Sequence, residues 1–236
     1  MKLARLRFAP LLALVGGTTL AGAAGANANI FYSNNFEQGG PYPEWSSNQA
    51  YTTSPTFTRF LGRYSNNTVS LRLDAPPVPR DRPHQPGDEG GGNDGDPSGP
   101  RRYLLEFSFY CIDSWDGIDT VHGPDHFVVR VNNATVFDES FANQHEWQSY
   151  RGEPDIGPTQ LGFNGRWDDS IYTLSIPFAT DSPTIRIDFY AYGLYSALSD
   201  ESWGIDNINV STVPVPAPAA AGVLLTLGAM GMRRRR

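Results

Sequence analysis

The chain has 236 residues, with 18 Lys and Arg against 25 Asp and Glu and a formal net charge of −7 at pH 7. Seven of the cations (Lys2, Arg5, Arg7 and Arg233 to Arg236) lie at the two ends, so residues 29–212 carry 11 cations against 25 anions, a net of −14, and no lysine. That balance argues against nucleic acid or anionic lipid as partner, since both are bound by Lys and Arg neutralising phosphates, and the lone Cys111 excludes an internal disulfide.

At the N-terminus Lys2, Arg5 and Arg7 precede an apolar stretch from Phe8 to Leu20, and Ala26-Asn27-Ala28 offers the small residues a signal peptidase requires. Residues 1–28 are therefore expected to be a signal peptide, with the mature chain starting at Asn29. Asn29 to Thr212 is long enough for one domain with its own core.

Within that domain the dominant rhythm is period two, which marks half-buried strands, and helical spacing is nearly absent. Ile30-Phe31-Tyr32 with Phe36 opens the first strand, and Thr56 to Gly62 and Thr68 to Leu73 follow, the last two separated by a turn at Asn66-Asn67. Arg80 to Pro100 is rich in Pro, Gly and Asp, too polar to bury, and reads as a long disordered loop. Its Asp94-Gly95-Asp96 matches no complete calcium loop. From Tyr103 to Asp113 runs the longest strand, with Leu105, Phe107, Phe109 and Cys111 on one face and Glu106, Ser108 and Tyr110 on the other. Phe127, Val129, Val131 and Val136 flank Asn132-Asn133, a pair that tolerates the positive φ of a tight hairpin. Ile171 to Phe178, Thr184 to Tyr192 and Glu201 to Ser211 complete about nine short strands with no βα alternation. The pattern predicts an all-β fold, an antiparallel jelly-roll β-sandwich, with a closed barrel as the alternative.

The strongest acidic cluster is Asp113-Ser114-Trp115-Asp116-Gly117-Ile118-Asp119, followed by Gly123-Pro124-Asp125. Calcium takes six to eight oxygens from carboxylates and loop carbonyls, and a Gly-bearing loop leaving a core strand can supply them. The parity that buries Cys111 also points Asp113 inward, where a lone carboxylate is costly to desolvate; a metal or a firm hydrogen-bond network must meet it. Asp113 and Asp116 are thus candidate metal ligands. The alternative is that Asp113, Asp116 and Asp119 cap turns through bonds to backbone donors.

Catalytic patterns are incomplete. Glu153-Pro154-Asp155-Ile156-Gly157-Pro158 begins the paired-carboxylate pattern of a sandwich glycosidase but lacks its second Glu, and its prolines make a poor strand. No Gly-x-Ser-x-Gly elbow is present, and Gly123-Pro124 between His122 and His126 forbids a zinc helix. The expectation is a binding protein and not an enzyme. Trp147, Tyr150 and Trp167 lie in the polar stretch between Phe141 and Ser170, where flat rings can hold sugar faces or tuck under the loop as a satellite core. Trp115 and Trp203 are read as packing beside the candidate metal site.

Two short motifs, Asn35-Phe36-Glu37 and Trp203-Gly204-Ile205-Asp206-Asn207-Ile208, resemble the first and last strands of jelly-roll modules such as carbohydrate-binding modules and the MAM and laminin-G-like sandwiches. That resemblance implies that an acid of the first strand and one of the last, here Glu37 and Asp206, meet on a structural calcium.

The end of the chain, Val213 to Arg236, combines a proline-alternating stalk (Pro214, Pro216, Pro218), an apolar run of 16 residues from Ala217 to Met232, and four arginines including Arg233 and Arg234. The run falls short of the ~20 residues that cross a hydrocarbon core, and the arginines resist translocation. With Val213, Pro214 and Pro216 in a Val-Pro-x-Pro pattern, the tail resembles the PEP-CTERM sorting signal of bacterial exported proteins; Val215 stands where the commonest form has Glu. The resemblance implies cleavage by an exosortase after transient anchoring in the inner membrane, and a cell that makes extracellular polysaccharide. An ordinary C-terminal membrane anchor is the alternative reading.

Overall fold

The computed structural model describes residues 29–51, 56–77, 100–144, 147–195 and 197–213. The predicted signal peptide, all but the last residue of the 80–100 segment with its Asp94-Gly95-Asp96, and the sorting tail beyond Val213 lie outside these residues.

The described residues form strands and no helix: β1 (Asn29–Asn34), β2 (Ala50–Tyr51), β3 (Phe60–Tyr64), β4 (Thr68–Asp74), β5 (Arg101–Asp113), β6 (Asp125–Val131), β7 (Ala134–Phe141), β8 (Ile156–Thr159), β9 (Asp169–Thr180), β10 (Thr184–Tyr192) and β11 (Glu201–Thr212). They make two antiparallel sheets, a larger one in the order β2-β3-β11-β5-β9-β8 with β1 also on β11, and a smaller one in the order β4-β10-β6-β7. From β3 to β6 and from β9 to β11 the chain changes sheet at each step, so β11, β5 and β9 lie side by side in that order despite their distance in sequence.

The core lies between the sheets. Leu105, Phe107, Phe109 and Cys111 of β5 are all buried, as the alternation of β5 predicts. Phe109 stacks on Phe127 of β6 with ring centroids 4.1 Å apart, and Phe107 meets Phe189 of β10 edge-on at 5.3 Å. Such pairs add roughly 0.5–1.5 kcal/mol beyond the area they bury. Between β6 and β7, Asn132 and Asn133 take φ of 48° and 70°, the geometry of the expected tight hairpin.

Two features depart from the expected pattern. Tyr110, placed by alternation on the polar face of β5, is buried with Ile112 in a second apolar cluster formed by Phe57, Phe60, Leu161 and Ile171. Loop segments cover the outer face of the larger sheet at that end, which period-two reasoning takes to be solvated. Ile156–Thr159, whose Pro158 argued against a strand, pairs with β9 as β8. It lies at the sheet edge, the position where a missing N–H leaves no ladder bond unmade.

Candidate metal centre

The acidic segment leaves the end of β5 and is pinned by Trp115, which is fully buried. Its indole N–H donates to the Ser202 carbonyl oxygen at 2.8 Å, and its ring packs edge-on against Phe109 at 5.5 Å. Asp116 follows at once and is closed onto the start of β6. The Asp116 N–H donates to Asp125 Oδ2 at 2.6 Å, and the Asp125 N–H returns a bond to the Asp116 carbonyl oxygen at 3.0 Å. The chain after β10 then passes close by. Gly193, at φ 96°, lies where a Cβ would sit 2.6 Å from the Pro124 carbonyl oxygen, so only glycine allows the approach.

This folding brings one oxygen each of Asp116, Asp125 and Glu201 within 4.8 Å of one another. Asp125 and Glu201 are buried, at 0% and 2% exposure, and Asp116 is partly buried. Burial pushes the Glu201 carboxyl up to about 8; the Tyr195 N–H opposes the shift, and the negative charges of Asp125, Asp116 and Asp200 add to it. Burial also raises Asp116, against a side-chain hydrogen bond with Glu201 and the influence of His122. Without a cation, burial and the charges of Asp125 and Asp116 favour the protonated form of Glu201. A cation would supply the missing charge, and three carboxylates with no nitrogen or sulfur donor suit a hard divalent ion without choosing among such ions.

Of the four acids expected as metal ligands, Glu37, Asp113, Asp116 and Asp206, only Asp116 belongs to this group. The Asp113 carboxylate, fully buried, is met by the hydrogen-bond network that was the alternative to metal. Arg63 Nη2 lies 2.6 Å from its Oδ2, and the Asn164 N–H donates to its Oδ1 at 2.9 Å. Asp206 accepts from the Tyr110 hydroxyl at 3.0 Å and the Thr58 hydroxyl at 3.2 Å through Oδ2, and from the Asn207 N–H at 2.7 Å through Oδ1. Burial holds Asp206 at about 6, with the Glu37 charge pushing the same way. Glu37 itself is exposed and accepts the Arg59 N–H at 2.9 Å. Asp119 acts as a cap, taking the Trp147 N–H at 3.0 Å.

Asp125 stood in the acidic run, but nothing local distinguished it from its neighbours. Glu201 had one faint signal, an acid opening the last strand; its register opposite Asp113 is a long-range fact.

The three aromatic residues are separated by the fold. Trp147 is 71% exposed and stands on the acidic loop, its carbonyl oxygen accepting the Ile118 N–H at 2.7 Å. Tyr150 packs inward, stacked on Phe141 at 5.0 Å and edge-on to Tyr172 at 5.6 Å. Trp167 is partly buried, with the Arg166 guanidinium 5.4 Å from its ring centre. Among the described residues no ring contact joins the three.

No protein-family model matches this chain, and no curated protein does. Solved structures similar to it include dimeric latent PorU from Porphyromonas gingivalis, at 12% identity and a TM-score of 0.41, covering 84% of this chain and 14% of that one. An insecticidal delta-endotoxin from Bacillus thuringiensis matches at 13% identity and a TM-score of 0.31, covering 64% of this chain and 19% of that one. A family 35 carbohydrate binding module from an environmental isolate matches at 12% identity and a TM-score of 0.31, covering 82% of this chain and 96% of that one. The chain thus spans less than a fifth of the first two proteins.

Proposed function

We propose that this protein is an exported jelly-roll binding module that associates with extracellular polysaccharide without catalysing a reaction on it. Asp116, Asp125 and Glu201 would hold a divalent cation, and calcium is the ion we assign because extracellular oxygen-only sites suit it. When bound, the cation neutralises the carboxylates and ties together the ends of β5, β6 and β11. The observation that carries the reading is Trp147, a residue 71% exposed whose backbone is fixed on both sides by Asp119 and Ile118. A flat apolar ring on a held backbone stacks on a sugar face at little ordering cost. The cationic, apolar and small-residue order of residues 1–28 supports export, and the Val-Pro-x-Pro, apolar and arginine order after Thr212 supports sorting by an exosortase.

One observation favours a second reading, a structural or adhesive matrix protein with a protein partner. Ile118 and Val121, on the same loop, are 51% and 93% exposed and extend the apolar surface beside Trp147. Binding to a panel of immobilised polysaccharides separates the two. Retention that disappears in Trp147→Ala at an unchanged melting temperature is the expected result. Retention unaffected by Trp147→Ala would overturn the sugar reading, and capture of other matrix proteins lost in Ile118→Ser/Val121→Ser would establish the second.

A further inference from the structure

Away from the acidic loop, β1, the turn after it and β11 enclose a groove of about 660 Å³ lined by Asn34, Asn35, Gln38, Tyr42, Asn207 and Asn209 among others, none of them charged. Its volume falls within the roughly 300–1,000 Å³ of small-ligand sites.

The walls are held before any ligand arrives. Ser33 and Asn34 pair with Asn209 and Ile208 across the sheet. The ladder between β5 and β11 shifts register between Asp206 and Asn209, and Asn207 sits in that bulge at φ 52°. Asn34 is fixed at both ends of its amide: Oδ1 takes the Phe36 N–H at 2.8 Å and Nδ2 donates to the Tyr32 hydroxyl at 3.3 Å. The Tyr42 hydroxyl donates to the Phe36 carbonyl oxygen at 2.8 Å, which holds its ring as the floor.

The remaining amides keep free valences. Asn35 Oδ1 takes the Glu37 N–H, and the Nδ2 groups of Asn207 and Asn209 donate to Ser108 Oγ and the Asn207 carbonyl oxygen. Among the described residues Asn35 Nδ2, Asn207 Oδ1, Asn209 Oδ1 and the whole Gln38 amide make no hydrogen bond. The lining therefore offers both amide donors and amide acceptors and carries no formal charge. Vicinal hydroxyls, each both donor and acceptor, complement that lining; phosphates, carboxylates and ammonium groups, which need an opposite charge, do not.

We propose that this groove is a second saccharide site, specific for a neutral oligosaccharide segment. It rests on the reading of the protein as polysaccharide-binding for its ligand class, but its residues are separate: Asn207 lies six positions along β11 from Glu201, on the order of 20 Å at ~3.3 Å per residue. Two sites on one chain would give a polymer ligand avidity that neither supplies alone.

The test is titration of the whole protein with cellohexaose, laminarihexaose, maltohexaose and mannohexaose, read by calorimetry and by the side-chain amide NMR signals of Asn34, Asn35, Asn207 and Asn209. The expected result is binding of at least one probe with shifts of those signals. Asn35→Ala/Gln38→Ala should weaken it about tenfold with the melting temperature unchanged, and Trp147→Ala should leave it intact. Absence of binding by every probe, or undiminished affinity in Asn35→Ala/Gln38→Ala, would overturn the groove. Binding lost only in Trp147→Ala would overturn the groove while leaving the Trp147 reading in place.

Discussion

Asp113 shows how one residue at a strand end decides what its neighbourhood can be. Its side chain is 0% exposed, and it is paired with Arg63, whose guanidinium also bonds Ser202 Oγ at 2.8 Å and lies 4.6 Å from the centre of the Phe163 ring. Removing one partner of a buried pair costs roughly 3–5 kcal/mol, because the charge left behind has no water to turn to. Arg63→Ala should therefore cost about that much in urea unfolding, and Asp113→Asn on top of it should recover part of the loss. A cost near that of an ordinary surface substitution would show that Asn164 alone satisfies the carboxylate. Asp113 was legible as a buried acid because the parity of β5 runs unbroken from Leu105. Its partner was not legible, since Arg63 is 50 residues upstream and reaches it only through the order β3-β11-β5.

The β6–β7 hairpin is the element whose sequence speaks most directly. Asn133, at φ 70°, pays little for a left-handed conformation that costs most L-residues about 1–2 kcal/mol. Asn133→Ala should lower stability by about that amount and Asn133→Gly by much less; equal losses would show that side-chain bonding, and not backbone conformation, selects asparagine. Elements defined by local rhythm, β5, β9 and β10 among them, emerge within a few residues of their expected positions. What the rhythm hides is coverage. Tyr110 is buried because Phe57, Phe60 and Leu161 arrive from distant segments, and β8 forms despite Pro158 because it joins at an edge. The candidate metal centre is hidden for the same reason. Asp116 announces itself in an acidic run, whereas Asp125 and Glu201 become its partners only when β6 and β11 start beside the end of β5.

On the scale of the whole molecule, buried acids make stability depend on pH. Burial holds Asp169 at about 6 against an ordinary 3.8, Asp206 at about 6, and Glu201 at about 8 against an ordinary 4.5. In the unfolded chain these groups release their protons at the lower values, so in each window the folded state binds more protons than the unfolded one. Their contribution is fully present below about pH 4. It falls as pH rises through about 6, and falls further to about 8 through Glu201. Cation-free protein should accordingly unfold at lower urea concentration at pH 8 than at pH 5; a midpoint that rises over this range would contradict the assignment. A bound cation favours the deprotonated acids and should remove the Glu201 part of the decline.

Thermal unfolding at pH 7.5 in calcium and in chelator tests the central claim, that Asp116, Asp125 and Glu201 form a cation site. An ion present at about 100 times its Kd stabilises by roughly 2.7 kcal/mol, which for a domain of this size corresponds to a shift of about 5–11 °C. A fall of that order on chelation is expected, restored by added calcium and absent in Asp125→Asn/Glu201→Gln. An unchanged melting temperature in the wild-type protein would contradict it.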